Sequence, residues 1–177
     1  MHDTALESRE HRFRYVIYGG LLAGTLDLAY ICSFVAILYG IGPQRILHSV
    51  AAGWVGRDAA QAGGAATAAL GFASHFAIAV VMAIVYYLAA KRLPALVRHP
   101  WRYGALYGLV LYVSMTYVVV PLSAAGDGTL KAWQWTDLAH IGSHVFFVGI
   151  PCALAAAFAL GARPRPFARV GAQPHDA

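Results

Sequence analysis

The stretch YVIYGGLLAGTLDLAYICSFVAILY, residues 15–39, contains only one charged side chain, Asp27. A helix needs about 20 residues to cross a hydrocarbon core of about 30 Å, so this stretch predicts a membrane-spanning helix. Three later stretches are similarly apolar and have 19 to 25 residues each, and they cover residues 66–90, 103–121 and 136–160. None of the four alternates with the period of two that is typical of a barrel strand. We therefore predict an all-α membrane protein, a bundle of four transmembrane helices.

The composition favours a single domain of this kind. The chain has 177 residues, of which 59% are hydrophobic and only 12% are charged, about half the charged share of an ordinary soluble domain. This length accommodates one helical domain. The predicted organisation is a cytoplasmic segment over residues 1–14, a four-helix transmembrane domain over residues 15–161, and a disordered, Pro-rich cytoplasmic tail over residues 162–177.

The basic residues predict the orientation of the helices. Of the 13 Lys and Arg residues, all but three lie before the first stretch, between the second and third, or after the fourth; the exceptions are Arg45, Arg57 and Lys131. Because segments rich in Lys and Arg stay on the cytoplasmic side, both termini are predicted to be cytoplasmic. The basic residues behind the net charge of +5 thus flank the membrane-spanning stretches, as is usual in membrane proteins, and we expect no nucleic-acid partner.

The loop between the first two stretches predicts a helix of a different kind. Residues 43–57, PQRILHSVAAGWVGR, begin with a proline, which suits the first turn of a helix. Apolar residues such as Ile46 and Val50 then alternate at helical spacing with polar ones such as Arg45. This pattern predicts a short amphipathic helix in the first outer loop, with Trp54 as an anchor in the membrane interface.

Ionisable side chains interrupt three of the four apolar stretches. They are Asp27 in the first, His75 in the second, and His140 and His144 in the fourth. A rise of about 1.5 Å per helical residue, counted from the outer end of each helix, places all four in the outer half of the membrane. Buried ionisable residues are costly there and usually mark a site for protons, ions, metals or substrates. These four residues are therefore the candidate functional site.

Small residues indicate which helix faces pack inward. Asp27 continues the face formed by Gly20 and Gly24, and His140 and His144 are four residues apart, which places them on one helical face. The predicted helix-packing glycines are Gly20, Gly24, Gly71, Gly104 and Gly108. The predicted supporting polar residues are Ser74, Ser114, Thr116, Asp137 and Ser143.

Four interpretations of this polar cluster are open from the sequence. In the structural one, the side chains only lock helices together through hydrogen bonds. In the second, three His and one Asp hold a Zn, Fe or Cu ion. In the third, a histidine that titrates near neutral pH and a buried acid handle protons or ions. The fourth, ranked last, is a haem held between His75 and either His140 or His144.

Four segments of the chain resemble the YagU-like family of small bacterial inner-membrane proteins of unknown function: GGLLAGTLDLAY, HFAIAVVMAIVYY, YGLVLYVSMTYVVVPLSA and DLAHIGSHVFFVGIP. The resemblance covers most of the chain in hydropathy and order, and it implies four helices and an inner-membrane location. The HxxxH pair, the lone His and the Asp also resemble the residue set of membrane-embedded zinc hydrolases such as alkaline ceramidases, which have seven spans and other spacings. That second resemblance implies a hydroxyl partner, Ser74 or Ser114.

The leading prediction is a non-enzymatic protein of the bacterial inner membrane with a buried Asp/His site for metal binding or for proton or ion handling. One alternative is a membrane-embedded zinc hydrolase, and another is a structural or accessory subunit of a membrane complex. The expected partners are the lipid bilayer and either a second copy of the chain or a larger membrane complex.

Overall fold

The computed structural model describes residues 3–161, with side chains described from residue 12 onward. The predicted tail over residues 162–177 lies outside the described residues. Between residues 3 and 161 the chain is mostly helical and contains no strand. Two π-helical turns, Met115–Val119 and His144–Gly149, occur within this order. The α-helices are α1 (Asp3–Tyr39), α2 (Pro43–Val55), α3 (Arg57–Ala62), α4 (Gly64–Arg92), α5 (Pro94–Arg98), α6 (Pro100–Ser114), α7 (Val120–Leu122), α8 (Asp137–Ser143) and α9 (Ile150–Ala159).

Four helical segments are long and apolar enough to cross a membrane, which confirms the predicted number of such helices. We call them the first, second, third and fourth spans, and they are Arg12–Tyr39, Gly64–Arg92, Pro100–Leu122 and Asp137–Ala159. Each predicted stretch lies within these bounds or extends one residue beyond them. The helix α1 begins before the first span, at Asp3, so most of the predicted N-terminal segment continues that helix.

The fourth span is the central helix of the bundle. It contacts the other three spans. In an 18-residue apolar segment of the fourth span 44% of the residues are buried, against 22% or less in the corresponding segment of each other span. Its last part, α9, has the sequence IPCALAAAFA, whose small side chains leave room for neighbours on several sides. Cys152, Ala153 and Ala156 are fully buried there, together with Val16 of α1 and Ala83 of α4. We call this tightly packed end of the bundle the α9 end.

Glycines permit the closest helix crossings. A Cβ atom on Gly108 would overlap the backbone of His144 and Val145, and one on Gly20 would lie 2.6 Å from the Cα of Val80. Close crossings of this kind, with only hydrogen in place of a side chain, are common where helices pack in a membrane. The other predicted packing glycines also lie at helix contacts, and they are Gly24, Gly71 and Gly104.

Both π-helical turns stand directly before a proline-containing α-helical segment. Pro121 follows the turn in the third span, and Pro151 follows the turn in the fourth. Proline has no N–H group, and its ring clashes with the carbonyl four residues earlier in a regular α-helix. A π turn, in which each hydrogen bond spans one more residue, accommodates that local change and is frequent at functional sites. Neither turn was predicted from the sequence, although the two prolines were a signal.

The helix α2 covers the opposite end of the bundle, which we call the α2 end. It lies along the first part of α4. The indole Nε1 of Trp54 donates a hydrogen bond to Ser74 Oγ at 3.0 Å, and His48 Nε2 donates to the Gly64 carbonyl at 2.9 Å. The Trp54 ring is 66% exposed, so its hydrogen bond rather than burial attaches it to the second span. These two bonds fix the position of α2.

Candidate functional site

A cavity of about 330 Å³ lies at the α2 end, between the first span, α2, the second span and the facing parts of the third and fourth spans. All four ionisable residues singled out from the sequence line it, namely Asp27, His75, His140 and His144. Of the predicted supporting residues, Thr116 and Ser143 line it too. The other three, Ser74, Ser114 and Asp137, are not part of its wall. The four residues selected by helical spacing and depth thus line one cavity.

Asp27 is half-buried in the cavity wall and pairs with no side chain in the described part of the chain. Among the described residues it makes neither a hydrogen bond nor an ion pair, and no Lys or Arg from the described part of the chain lines the cavity. Its nearest electrostatic partners include Tyr30 and His140. A carboxylate that is partly removed from water and unpaired is costly. The charge of such a carboxylate attracts cations.

His75 has its tautomer fixed by a contact between two helices. Its Nε2 atom lies 2.9 Å from the carbonyl oxygen of Gly24 on α1. A carbonyl oxygen can only accept a hydrogen bond, so Nε2 must carry the proton. In the neutral imidazole the other nitrogen, Nδ1, then has a free lone pair. His75 thus joins the first and second spans and still offers a base to the cavity.

His144 is fixed in the opposite tautomer. Its Nδ1 atom donates to the carbonyl of His140, one turn earlier on the same helix, at 3.0 Å, and the Ser143 hydroxyl lies 3.4 Å from the same nitrogen. The lone pair of the neutral ring is therefore on Nε2. The edge of this ring also meets the ring of Tyr112, with centroids 5.6 Å apart.

His140 differs from the other two histidines because its partner can either donate or accept. Its Nδ1 atom lies 3.4 Å from the hydroxyl of Tyr30, a long contact whose direction the geometry leaves open. In both arrangements the pair keeps one further N–H or O–H donor. The ring packs edge-on against Phe34 and Tyr30 of α1, with centroid distances of 5.0 and 6.0 Å.

Two serine hydroxyls in the cavity wall use their protons on backbone carbonyls. Ser49 Oγ donates to the Ile46 carbonyl at 2.6 Å, and Ser143 Oγ donates to the His140 carbonyl at 2.9 Å. Their oxygen lone pairs are left as acceptors. Ser49 and Tyr30 were not predicted as site residues. Tyr30 could have been found from its spacing, three residues after Asp27 on one helical face, whereas Ser49 depends on how α2 docks.

Asp137 stabilises the loop before the fourth span. Its carboxylate is 1% exposed, forms an ion pair with Lys131 and accepts a hydrogen bond from the Gln134 amide at 2.7 Å. The buried hydroxyl of Tyr112 has Asp137 and Thr116 as polar neighbours, but it makes no hydrogen bond of acceptable geometry to a described residue. Asp137 and Tyr112 are not part of the cavity wall, whereas Thr116 lines it.

The four candidate ligands share a cavity but are not grouped as metal ligands. Within residues 12–161, no set of three or more His, Cys, Asp or Glu side chains is placed to hold a metal ion. Zn–N and Zn–O bonds are about 2.0–2.2 Å, so ligands must converge on one point. The carbonyl contacts of His75 and His144 are of the kind that orients metal-binding histidines. The side chains would nevertheless have to move before they could bind one Zn, Fe or Cu ion together.

The cavity therefore combines an unpaired carboxylate, two histidines of fixed tautomer and an otherwise mostly apolar wall. Such a combination can bind a proton, a cation or a ligand that carries hydrogen-bond donors. No family model, no curated protein and no solved structure matches the chain.

Proposed function

We propose that the four spans cross the bacterial inner membrane with both termini in the cytoplasm. The length and apolar character of the spans support insertion, and the excess of Lys and Arg at the α9 end supports this orientation. The α2 end and its cavity then lie in the outer half of the membrane. Reporter fusions test the orientation: we expect a periplasmic signal at Gly128 and a cytoplasmic signal at Pro94. The reverse pattern would contradict it.

We propose, in addition, that this protein handles protons or other cations in the cavity, without catalysing a covalent reaction. The observation that carries the proposal is the unpaired carboxylate of Asp27, which shares the cavity with three histidines. Ionisable residues inside a span are costly, and they persist where they serve an ion or proton path. Binding of a proton or another cation therefore accounts best for an aspartate inside the first span.

The cavity wall supplies several groups that can exchange a proton. The Asp27 carboxylate, the Nδ1 lone pair of His75 and the Nε2 lone pair of His144 are proton acceptors. Histidine is the side chain that ordinarily gains or loses a proton near neutral pH. The Asp27 carboxylate attracts a proton or another cation in the cavity, because opposite charges attract strongly where water is scarce. A proton in the cavity thus has possible acceptors on the first, second and fourth spans.

The lack of a partner for Asp27 also separates this proposal from a purely structural role. A side chain that only locks helices together needs a group to bond with, as His75 does with Gly24. Asp27 makes no such bond to any residue between 12 and 161. A zinc hydrolase would need converging ligands, and the described side chains are not arranged in that way.

Infrared difference spectroscopy tests the proposal. Purified full-length protein in lipid is compared at about pH 5 and about pH 8, which bracket the ordinary titration of histidine. We expect a pH-dependent carboxyl or imidazole band that changes in Asp27→Asn. The matched control is Asp58→Asn, which changes an exposed acid on α3 and should keep the band. A spectrum that Asp27→Asn leaves unchanged would contradict proton handling, and one bound metal per chain that is lost in His75→Ala would replace the proposal with a metal site.

A further inference from the structure

We infer that the cavity takes an organic ammonium ion, that is, a protonated amine on a small apolar body. This inference rests on the proposed function and names the class of cation. Its basis is the juxtaposition, in one cavity of about 330 Å³, of an unpaired carboxylate, hydrogen-bond acceptors of fixed direction and apolar walls.

The hydrogen bonds around the cavity leave its wall rich in acceptors. The protein's own carbonyls consume the protons of His75 Nε2, His144 Nδ1, Ser49 Oγ and Ser143 Oγ. Each of these side chains is left with a lone pair and no proton of its own to donate. Asp27, when ionised, is also an acceptor only. A complementary ligand must therefore supply the donors.

The charge of the cavity wall favours a cationic ligand. Among the described residues, Asp27 is the only carboxylate in the wall, and no Lys or Arg neutralises it. The donors left over belong to the Tyr30–His140 pair and to the Thr116 hydroxyl, and none of them is a Lys or Arg that would offset the charge of the carboxylate. A primary ammonium group carries one positive charge and three N–H donors, so it matches both the charge and the acceptors.

The apolar walls and the volume decide against a bare inorganic cation. Most of the lining consists of alkyl and thioether side chains, which include Ile31, Ile46, Ile78, Met82, Met115 and Val148. Small-molecule sites are typically of this kind, with a few polar groups that orient a largely apolar ligand, and about 330 Å³ is at the small end of their range. A hydrated metal ion would find no grouped ligands among the described side chains. An amine with a short alkyl body matches both parts of the wall.

Binding of n-hexylammonium to the purified full-length protein tests the inference, with 1-hexanol and methylammonium as comparators. Isothermal titration calorimetry in one detergent gives the three affinities. Charge-assisted hydrogen bonds are about twice as strong as neutral ones, so we expect hexylammonium to bind at least about tenfold more tightly than hexanol. Methylammonium, which has no apolar body, should bind at least about tenfold more weakly than hexylammonium. Equal affinities in either comparison would overturn the inference.

Substitutions of two acidic residues test whether hexylammonium binds in the cavity. Asp27→Asn should reduce the affinity for hexylammonium to that for hexanol, whereas Asp58→Asn should leave all three affinities unchanged. Retention of tight amine binding by Asp27→Asn would overturn the inference. A measurement on the unmodified chain covers the case in which Asp27→Asn does not fold: hexylammonium should shift the ¹⁵N signals of His75 Nδ1 and His144 Nε2, and the absence of any shift at saturation would contradict it.

The two proposals can fail separately. A pH-dependent band that Asp27→Asn changes, together with hexylammonium and hexanol of equal affinity, would leave proton handling standing and remove the ammonium ligand. Tight binding of hexylammonium at Asp27, without such a band, would support the ligand and remove proton handling.

Discussion

The α9 end and the α2 end of the bundle are built from the same four spans but pack in different ways. At the α9 end, the small residues of IPCALAAAFA let the fourth span touch the other three, and Ala153 and Ala156 are fully buried. At the α2 end, the same span carries His140 and His144, and a cavity of about 330 Å³ separates it from the second span. The π-helical turn His144–Gly149 lies between the two regions.

The two ends therefore differ in packing: the α9 end is closely packed, whereas the α2 end keeps a cavity lined by ionisable side chains. Helices in a membrane gain stability from close van der Waals packing, which needs small residues at the crossings. The α9 end meets that requirement through alanine and glycine. The α2 end gives up part of this packing, and its ionisable side chains face a common space. Substitutions at the two ends should therefore have different effects.

The largest expected effect is at the crossing of the third and fourth spans. In Gly108→Ala the new Cβ would overlap the backbone of His144 and Val145, so a helix must move. We expect a loss of about 3 kcal/mol, at the upper end of the range for overpacking, measured as a lower free energy of unfolding in detergent. The control is Gly142→Ala in the fourth span, where a Cβ meets open space. Equal stability of the two variants would contradict tight packing at this crossing.

A smaller effect is expected for the loop at the α2 end. Asp137→Asn removes the charge that pairs with Lys131 and weakens the bond from the Gln134 amide. Because Lys131 is 42% exposed and can return to water, we expect a loss of about 1–2 kcal/mol and not the full cost of breaking a buried pair. Chemical unfolding measures it. An exposed acid in the same loop, changed in Asp127→Asn, should cost less, and the opposite order would refute the role assigned to Asp137.

The attachment of α2 should contribute less again. Trp54→Phe removes the hydrogen bond from Nε1 to Ser74 Oγ while keeping an aromatic ring. We expect a loss of about 1 kcal/mol, the usual net value of one hydrogen bond. A double-mutant cycle with Ser74→Ala isolates the pair, because the second substitution should cost little once the first is present. Fully additive losses would show that this bond does not attach α2 to the second span.

The smallest effect is expected at the loop surface of the α2 end. Hydrogen bonds from the Thr129 hydroxyl and backbone amide lower the pKa of the exposed Asp127 carboxyl below its usual value. Its stabilising contribution is therefore present above the usual pKa and is lost as the pH falls through the lowered one. Thr129→Ala should raise the pKa of Asp127, as measured by NMR titration, with almost no change in unfolding. An unchanged pKa would rule out the hydroxyl contact.

Much of the fold follows from the sequence because apolar length is a local property. The four spans and the helix at Pro43–Val55 were located from hydropathy, proline position and periodicity. The shared depth of Asp27, His75 and His144 followed from a constant rise per residue, and these residues do line one cavity. These inferences need no knowledge of which helices are neighbours.

The rest depends on tertiary contacts that spacing alone does not specify. The central place of the fourth span results from helix packing, and so do the contact of Ser49 with the cavity and the ion pair of Asp137 with Lys131. The tautomers of His75 and His144 depend on which carbonyl each ring meets. Each of these facts requires the relative position of two helices or the path of a loop.

Nitrogen NMR of ¹⁵N-histidine-labelled protein in lipid tests the account most directly, because it reports which ring nitrogen carries the proton. At a pH where the rings are neutral, we expect His75 to be protonated on Nε2 and His144 on Nδ1, the opposite tautomers that their carbonyl partners impose. Comparison with His75→Gln and His144→Gln assigns the two signals. Observation of the same tautomer at both residues, or of free exchange between tautomers, would contradict the arrangement of acceptors on which the proposed cation site depends.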